Sequence, residues 1–122
     1  MEWNFRNDLP IYSQLTQRLT EAIVSGSYAP GEKLPSVREL AVEAGVNPNT
    51  VQRALADLER DGLVFTQRTA GRFVTENENM IVNARLRLAD ERVEEFLRSM
   101  KTLGCGREDV ISLIAQAKEE EK

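Results

Sequence analysis

The sequence predicts a mostly α chain with one small β-hairpin, an α+β fold, and three observations carry that prediction. Between residues 8 and 62 lie three apolar stripes at helical spacing, each bracketed by capping and stop residues. Two short β-prone runs around a Gly-containing turn follow, ending at residue 75. Beyond the polar Glu76-Asn77-Glu78-Asn79 the chain returns to helical spacing alone, which divides it into 1–75 and 76–122.

The elements are taken in order. Residues 2–6 alternate, with Trp3 and Phe5 on one side and Glu2, Asn4 and Arg6 on the other, the pattern of a short extended segment. Asp8-Leu9-Pro10 opens the first helix, Asp8 as its cap and Pro10 near the first turn. Ile11, Leu15, Leu19, Ala22 and Ile23 make its apolar stripe, and Gly26 is placed to end it. Residues 26–35, with two Gly and two Pro, read as a loop. Ser36 caps the second helix, and Glu39 completes a capping box in which each residue satisfies a backbone N–H of the other. Val37, Leu40, Ala41 and Ala44 form the inner side, and Gly45 stops it. Asn47 caps the third helix with Pro48 at its first position, and Val51, Ala54, Leu55 and Leu58 face the core until Gly62.

The β-prone runs are Leu63–Gln67 and Arg72–Thr75, joined by Arg68-Thr69-Ala70-Gly71 as a hairpin turn. In the C-terminal part Val82, Leu86, Ala89, Val93, Phe96, Met100 and Leu103 recur at alternating spacings of 4 and 3, an unbroken heptad stripe. Gly104-Cys105-Gly106 interrupts it, and a last helix carries Val110, Leu113, Ile114 and Ala117 before a Glu-rich end. Two helices of this size do not bury a stable core alone, so the stripe calls for a partner surface. Self-association into a twofold dimer is the economical partner; packing back onto the N-terminal part is the alternative.

Composition narrows the chemistry. With no histidine, the commonest general base and metal ligand is missing, and with one cysteine neither an intrachain disulfide nor a structural zinc site is expected. Cys105 is read as a structural thiol in preference to a redox centre. No Gly-rich phosphate loop precedes a helix, so neither catalysis nor a cofactor is expected. The apolar runs are too short to cross a bilayer. Met1 is followed by Glu2 and Trp3 without a basic and an apolar stretch, which leaves a cytoplasmic location as the default expectation. Net charge is −4, yet residues 1–75 hold 8 Lys/Arg against 9 Asp/Glu, so a local basic face is permitted there.

Two helices joined by a tight Gly-containing turn, the second opening on Asn47-Pro48, have the form of a helix-turn-helix, and the hairpin after them has the form of a wing. The prediction is thus a winged helix-turn-helix domain followed by a two-helix dimerisation tail. Asn49, Thr50, Gln52 and Arg53 crowd the start of the second helix of the motif, the part that enters the major groove in this geometry. Their chemistry suits base edges: Asn and Gln pair with adenine, Arg with guanine, and the Thr methyl meets thymine. Arg38 is placed for the backbone or a base edge, and Arg68 and Arg72 sit at or beside the wing tip, where phosphates supply salt-dependent affinity. Any one such residue is more often simply solvated; the combination favours double-stranded DNA. A helix-turn-helix scaffold contacting only protein and the N-terminal module of an enzyme are the rivals.

Leu34-Pro35-Ser36-Val37-Arg38-Glu39-Leu40-Ala41, Gly45-Val46-Asn47-Pro48-Asn49-Thr50-Val51, Ala54-Leu55, Leu58-Glu59 and Gly62-Leu63 together resemble the GntR family of bacterial regulators. Pro10-Ile11-Tyr12, Gln14 and Pro30-Gly31 extend the likeness toward the N-terminus, and the short tail resembles the family's YtrA-like branch. The resemblance implies a dimeric repressor, less often an activator, on a palindromic operator. Carried over by position, it implies DNA contacts at Arg38, Asn47, Asn49, Thr50, Gln52, Arg68 and Thr69; Arg53 and Arg72 are added from charge and position alone. Pro48 and Gln52 stand where many relatives carry Arg, so guanine contacts are not carried over there. An unidentified small-molecule effector has a place at the dimer seam, though no polar cluster marks a site, and no membrane partner is expected.

Overall fold

The computed structural model describes residues 3–118; the Met1-Glu2 start and the Glu-rich end at 119–122 lie outside them. The described residues form α1 (Ile11–Val24), α2 (Val37–Ala44), α3 (Pro48–Arg60), β1 (Val64–Gln67), β2 (Gly71–Val74), α4 (Glu78–Lys101) and α5 (Arg107–Gln116). This is the expected mostly helical α+β fold, five helices and an antiparallel hairpin.

Local chemistry explains most of the boundaries. At the start of α2 the Ser36 hydroxyl accepts the Glu39 N–H at 3.1 Å and the Glu39 carboxylate accepts the Ser36 N–H at 3.1 Å, the expected capping box. The Ser36 N–H donated to the carboxylate, with the Ser36 side chain adding to it, holds the Glu39 carboxyl below its ordinary range. Gly45 then turns left-handed at φ 69°, a conformation that costs a residue with a Cβ, and only Val46 and Asn47 separate it from α3. Where α3 begins, the Asn47 side chain accepts the Asn49 N–H at 2.8 Å and Pro48 fills the first position, which has no partner for an N–H.

The entrance to α1 departs from expectation. Pro10 occupies the cap and makes no side-chain bond, while Asp8 is gripped by the Arg6 guanidinium at 2.6 and 3.0 Å. That hydrogen-bonded pairing lowers the Asp8 carboxyl from its ordinary value. Nor do residues 3–6 form a strand. Both backbone groups of Arg6 are taken by the Gln14 side chain, at 2.7 and 2.8 Å, which leaves no edge to pair. Trp3 and Phe5, ring centroids 6.2 Å apart, still pack against the core as the alternation implied.

β1 and β2 pair in the register Val64↔Val74, Phe65↔Phe73, Thr66↔Arg72 and Gln67↔Gly71. A third chain segment joins them. Gly31 donates to the Val74 carbonyl, Val74 to Glu32 and Leu34 to Arg72, at 2.8–2.9 Å, with a bridge between Lys33 and Phe73. Composition marked that stretch as loop, because pairing with a distant strand leaves no local pattern.

The chain divides into two compact units, Met1–Arg85 and Leu86–Lys122. The core of the first gathers Leu15, Leu19 and Ile23 of α1, Leu40, Ala41 and Ala44 of α2, Val51, Ala54, Leu55 and Leu58 of α3, and Leu63, Val64 and Val74 around the hairpin. Each large side chain so buried contributes about 1.5–3 kcal/mol of transfer free energy. Ile81 and Ala84 belong to the same core, which is why the first unit runs ten residues past the expected limit of 75. Arg85 fastens this stretch further, donating to the Val24 carbonyl at 2.8 and 3.2 Å and so satisfying an orphan acceptor at the C-terminus of α1. In the second unit Leu88 and Val110 are buried, and Asp109 accepts the Gly106 N–H at 2.9 Å as α5 begins.

Candidate nucleic-acid interface

The site is built outward from α3. Val51, Ala54, Leu55 and Leu58 are fully buried on one side of this helix. At about 100° per residue, the opposite side carries Asn49, Gln52, Arg53 and Ala56, and all four are exposed. Thr50 lies at the edge of that face, half-buried. Packing therefore leaves Asn49, Gln52 and Arg53 as an exposed polar surface over the first two turns.

Asn47 stands at the head of this face, exposed, with one lone pair of its side-chain oxygen committed to the cap and its amide N–H groups outside that bond. Arg38 is exposed at the second position of α2. Its neighbour Glu39 is occupied by Ser36 and does not neutralise it.

Arg68 and Thr69 are exposed at the wing tip. Arg72 shares a strand face with Val74, and its cross-strand partner Thr66 shares one with Val64; both valines are buried, so Arg72 lies on the side of the hairpin turned to the core and is half-buried. On that side the Thr66 hydroxyl donates to the Glu59 carboxylate of α3, which ties the hairpin to the helix. The opposite side presents Phe65 stacked on Phe73, centroids 5.7 Å apart.

Two participants escaped the sequence. Lys33 runs its side chain past Gly71, whose φ of 107° and missing Cβ leave room for it, and so adds an ammonium beside the wing tip. Tyr12 of α1 lies beneath Arg53, with the guanidinium carbon 3.6 Å from the ring centroid. The first depends on the unforeseen pairing of the Gly31–Leu34 segment with β2 and the second on the crossing of α1 with α3; sequence spacing encodes neither. The ion pairs among the described residues, including Arg6–Asp8, Arg18–Glu21 and Arg60–Asp57, use none of Arg38, Arg53, Arg68 or Arg72. These cations remain available to phosphate.

The expected association stripe is solvent-facing in the single chain. Val82, Leu86, Val93, Phe96 and Leu103 are 41–73% exposed, Ala89 is exposed and Met100 half-buried. Among the described residues no group of three or more Cys, Asp or Glu could hold a metal ion, and no helix is long and apolar enough to cross a membrane.

A family model described as "Bacterial regulatory proteins, gntR family" matches residues 11–74. The chain is similar to the HTH-type transcriptional repressor YtrA of Bacillus subtilis (strain 168), 39% identical over 93 residues covering 75% of this chain and 72% of YtrA. In structure it is similar to a GntR family transcriptional regulator from Listeria monocytogenes, with a TM-score of 0.83 and 37% identity over 93% of this chain and 100% of that one. AraR(DBD), solved in complex with operator ORX1, is similar at a TM-score of 0.57 and 30% identity over 62% of this chain and 96% of that one.

Proposed function

The chain belongs to the GntR family of bacterial regulatory proteins, and from that premise we propose that it is a cytoplasmic, non-enzymatic repressor that binds a palindromic operator as a homodimer. It is a DNA-binding transcription regulator with a winged helix-turn-helix. One observation carries the assignment of the interface: the exposed Asn49, Gln52 and Arg53 lie on one face of α3, opposite its buried side, with Arg-bearing wing residues left without acidic partners. Asn49 and Gln52 suit adenine edges, and Asn47 joins them through its amide N–H donors. Arg68, Thr69 and Arg72 supply phosphate contacts that position the domain, and Arg38 reaches the backbone or a base edge.

Residues 1–75 are assigned to DNA recognition and 76–122 to association. The exposed heptad of α4 supports the homodimer, since six exposed apolar positions and the half-buried Met100 lose the cost of facing water when a second copy covers them. A twofold dimer presents two reading helices about 34 Å apart along the duplex and requires an inverted repeat. The place proposed for a small-molecule effector is the seam between the two tails.

Selection of binding sites from random duplexes, followed by affinity measurements over a salt series, tests this function. An inverted repeat is expected, with binding that falls steeply as salt rises because neutralised phosphates release counterions. Absence of any preferred site at moderate salt sinks the proposal.

A further inference from the structure

We propose that Tyr12 is a positioning residue for DNA binding, holding the Arg53 guanidinium ready for a backbone phosphate. The inference rests on the operator-binding function above and adds to it a division of labour within α3. Arg53 is exposed on α3, Tyr12 is half-buried on α1, and the guanidinium carbon sits 3.6 Å from the tyrosine ring centroid.

The chemistry of the pair is what points to a ligand. A guanidinium held by a carboxylate gives up N–H donors and charge to that partner. One laid on a ring face is held through the ring quadrupole, and its N–H edges stay open to an acceptor. Tyr12 therefore removes rotamer freedom from Arg53 without using any hydrogen bond that a phosphate needs, and no ion pair among the described residues uses Arg53. Preorganisation of this kind raises affinity by lowering the ordering cost at the moment of binding.

Direction assigns the target. Arg53 and Gln52 are consecutive, so their side chains leave the helix about 100° apart. Contact with Tyr12 of α1 holds the Arg53 guanidinium at the α1 edge of the exposed face it shares with Asn49 and Gln52. A cation on the flank of a reading helix meets the strand backbone, where it supplies affinity without sequence information.

The test uses the full chain, its selected operator duplex and a scrambled duplex of equal length, with affinities measured over a salt series for Tyr12→Phe, Tyr12→Leu, Arg53→Ala, Arg53→Lys and the Tyr12→Leu/Arg53→Ala double variant. Tyr12→Phe keeps the ring and should bind like the wild type. Tyr12→Leu and Arg53→Lys should each weaken binding to both duplexes by about 2- to 5-fold, the range of an exposed cation–π contact. Arg53→Ala should lower the log–log salt slope by about one. Once Arg53 is alanine, Tyr12→Leu should cost nothing more. An equal loss from Tyr12→Leu in both backgrounds overturns the proposal, because Tyr12 then acts through the fold or touches DNA itself. So does an Arg53→Ala variant that loses preference at one base pair with its salt slope unchanged. Arg53→Lys leaves the core untouched, so wild-type affinity in that variant overturns the proposal even where Tyr12→Leu does not fold. If the wild type prefers no duplex, the operator function falls first and this inference with it.

Discussion

Asn47 caps α3 and, in the proposed interface, also meets DNA. Its oxygen closes the cap of α3 on the Asn49 N–H, while its amide N–H groups take no part in that bond. The two roles separate by substitution. Asn47→Asp keeps an acceptor for the cap, so unfolding stability should stay within about 0.5 kcal/mol of the wild type. It replaces the amide donors with negative charge, so operator affinity should fall at least tenfold in a filter or anisotropy measurement, about 1.4 kcal/mol or more. Asn47→Ala should instead cost about 1 kcal/mol of stability in chemical denaturation, the value of a lost cap. The cap, the adjacent proline and the polar residues after it were legible in the sequence because all are local signals. Tyr12 beneath Arg53 was not, since the two residues are far apart in sequence and meet only because α1 crosses α3.

Helix ends and helix faces decide the behaviour of the elements. In α2 the Glu39 carboxyl is held below its ordinary value of 4.5, first by the Ser36 N–H it accepts and then by the Ser36 side chain. A carboxyl with a depressed folded-state pKa stabilises above its unfolded pKa and loses that contribution as pH falls through the folded value. The stability advantage of the wild type over Glu39→Gln should therefore be present at neutral pH and disappear on acidification below about 4.5, read from thermal midpoints across pH. α4 teaches a different lesson. The sequence displays a heptad through Val82 and Leu86, and counting that stripe hid a second one a residue earlier. Ile81 and Ala84 are the positions that enter the core of the first unit. Periodicity reports which residues share a face; it does not report which of two neighbouring faces the tertiary structure covers. Ile81→Ala should lower the unfolding free energy by about 2–5 kcal/mol, the cost of a truncated core side chain, as measured by urea denaturation. The third segment of the hairpin, at Gly31–Leu34, was hidden for a related reason, because its partners lie on a strand some forty residues later.

At the scale of the molecule, the three helices and wing were legible in order, and the residues offered for DNA contact fall on exposed positions of α2, α3 and the wing tip, apart from the half-buried Thr50 and Arg72. The tail was legible as an apolar stripe in want of a cover, and most of that stripe is exposed in the single chain. Phe96→Asp combined with Met100→Asp places charge in the proposed seam and should yield monomers by sedimentation, with operator affinity reduced by more than tenfold because two half-sites no longer bind as one. A dimer that persists in that variant removes the heptad from the explanation. The sharing of α4 between the two units also bears on how chains of this kind exchange parts. Ile81 and Ala84 finish the core of the DNA-binding unit and the Met80 side chain lies against Gly62, so the opening of the tail is inherited structure of the module before it. A recombination junction at residue 75 would strip those side chains away and hand any new C-terminal partner a module with an open flank. A junction after Arg85 transmits a finished one, and chimaeras joined there should express and fold where those joined ten residues earlier aggregate.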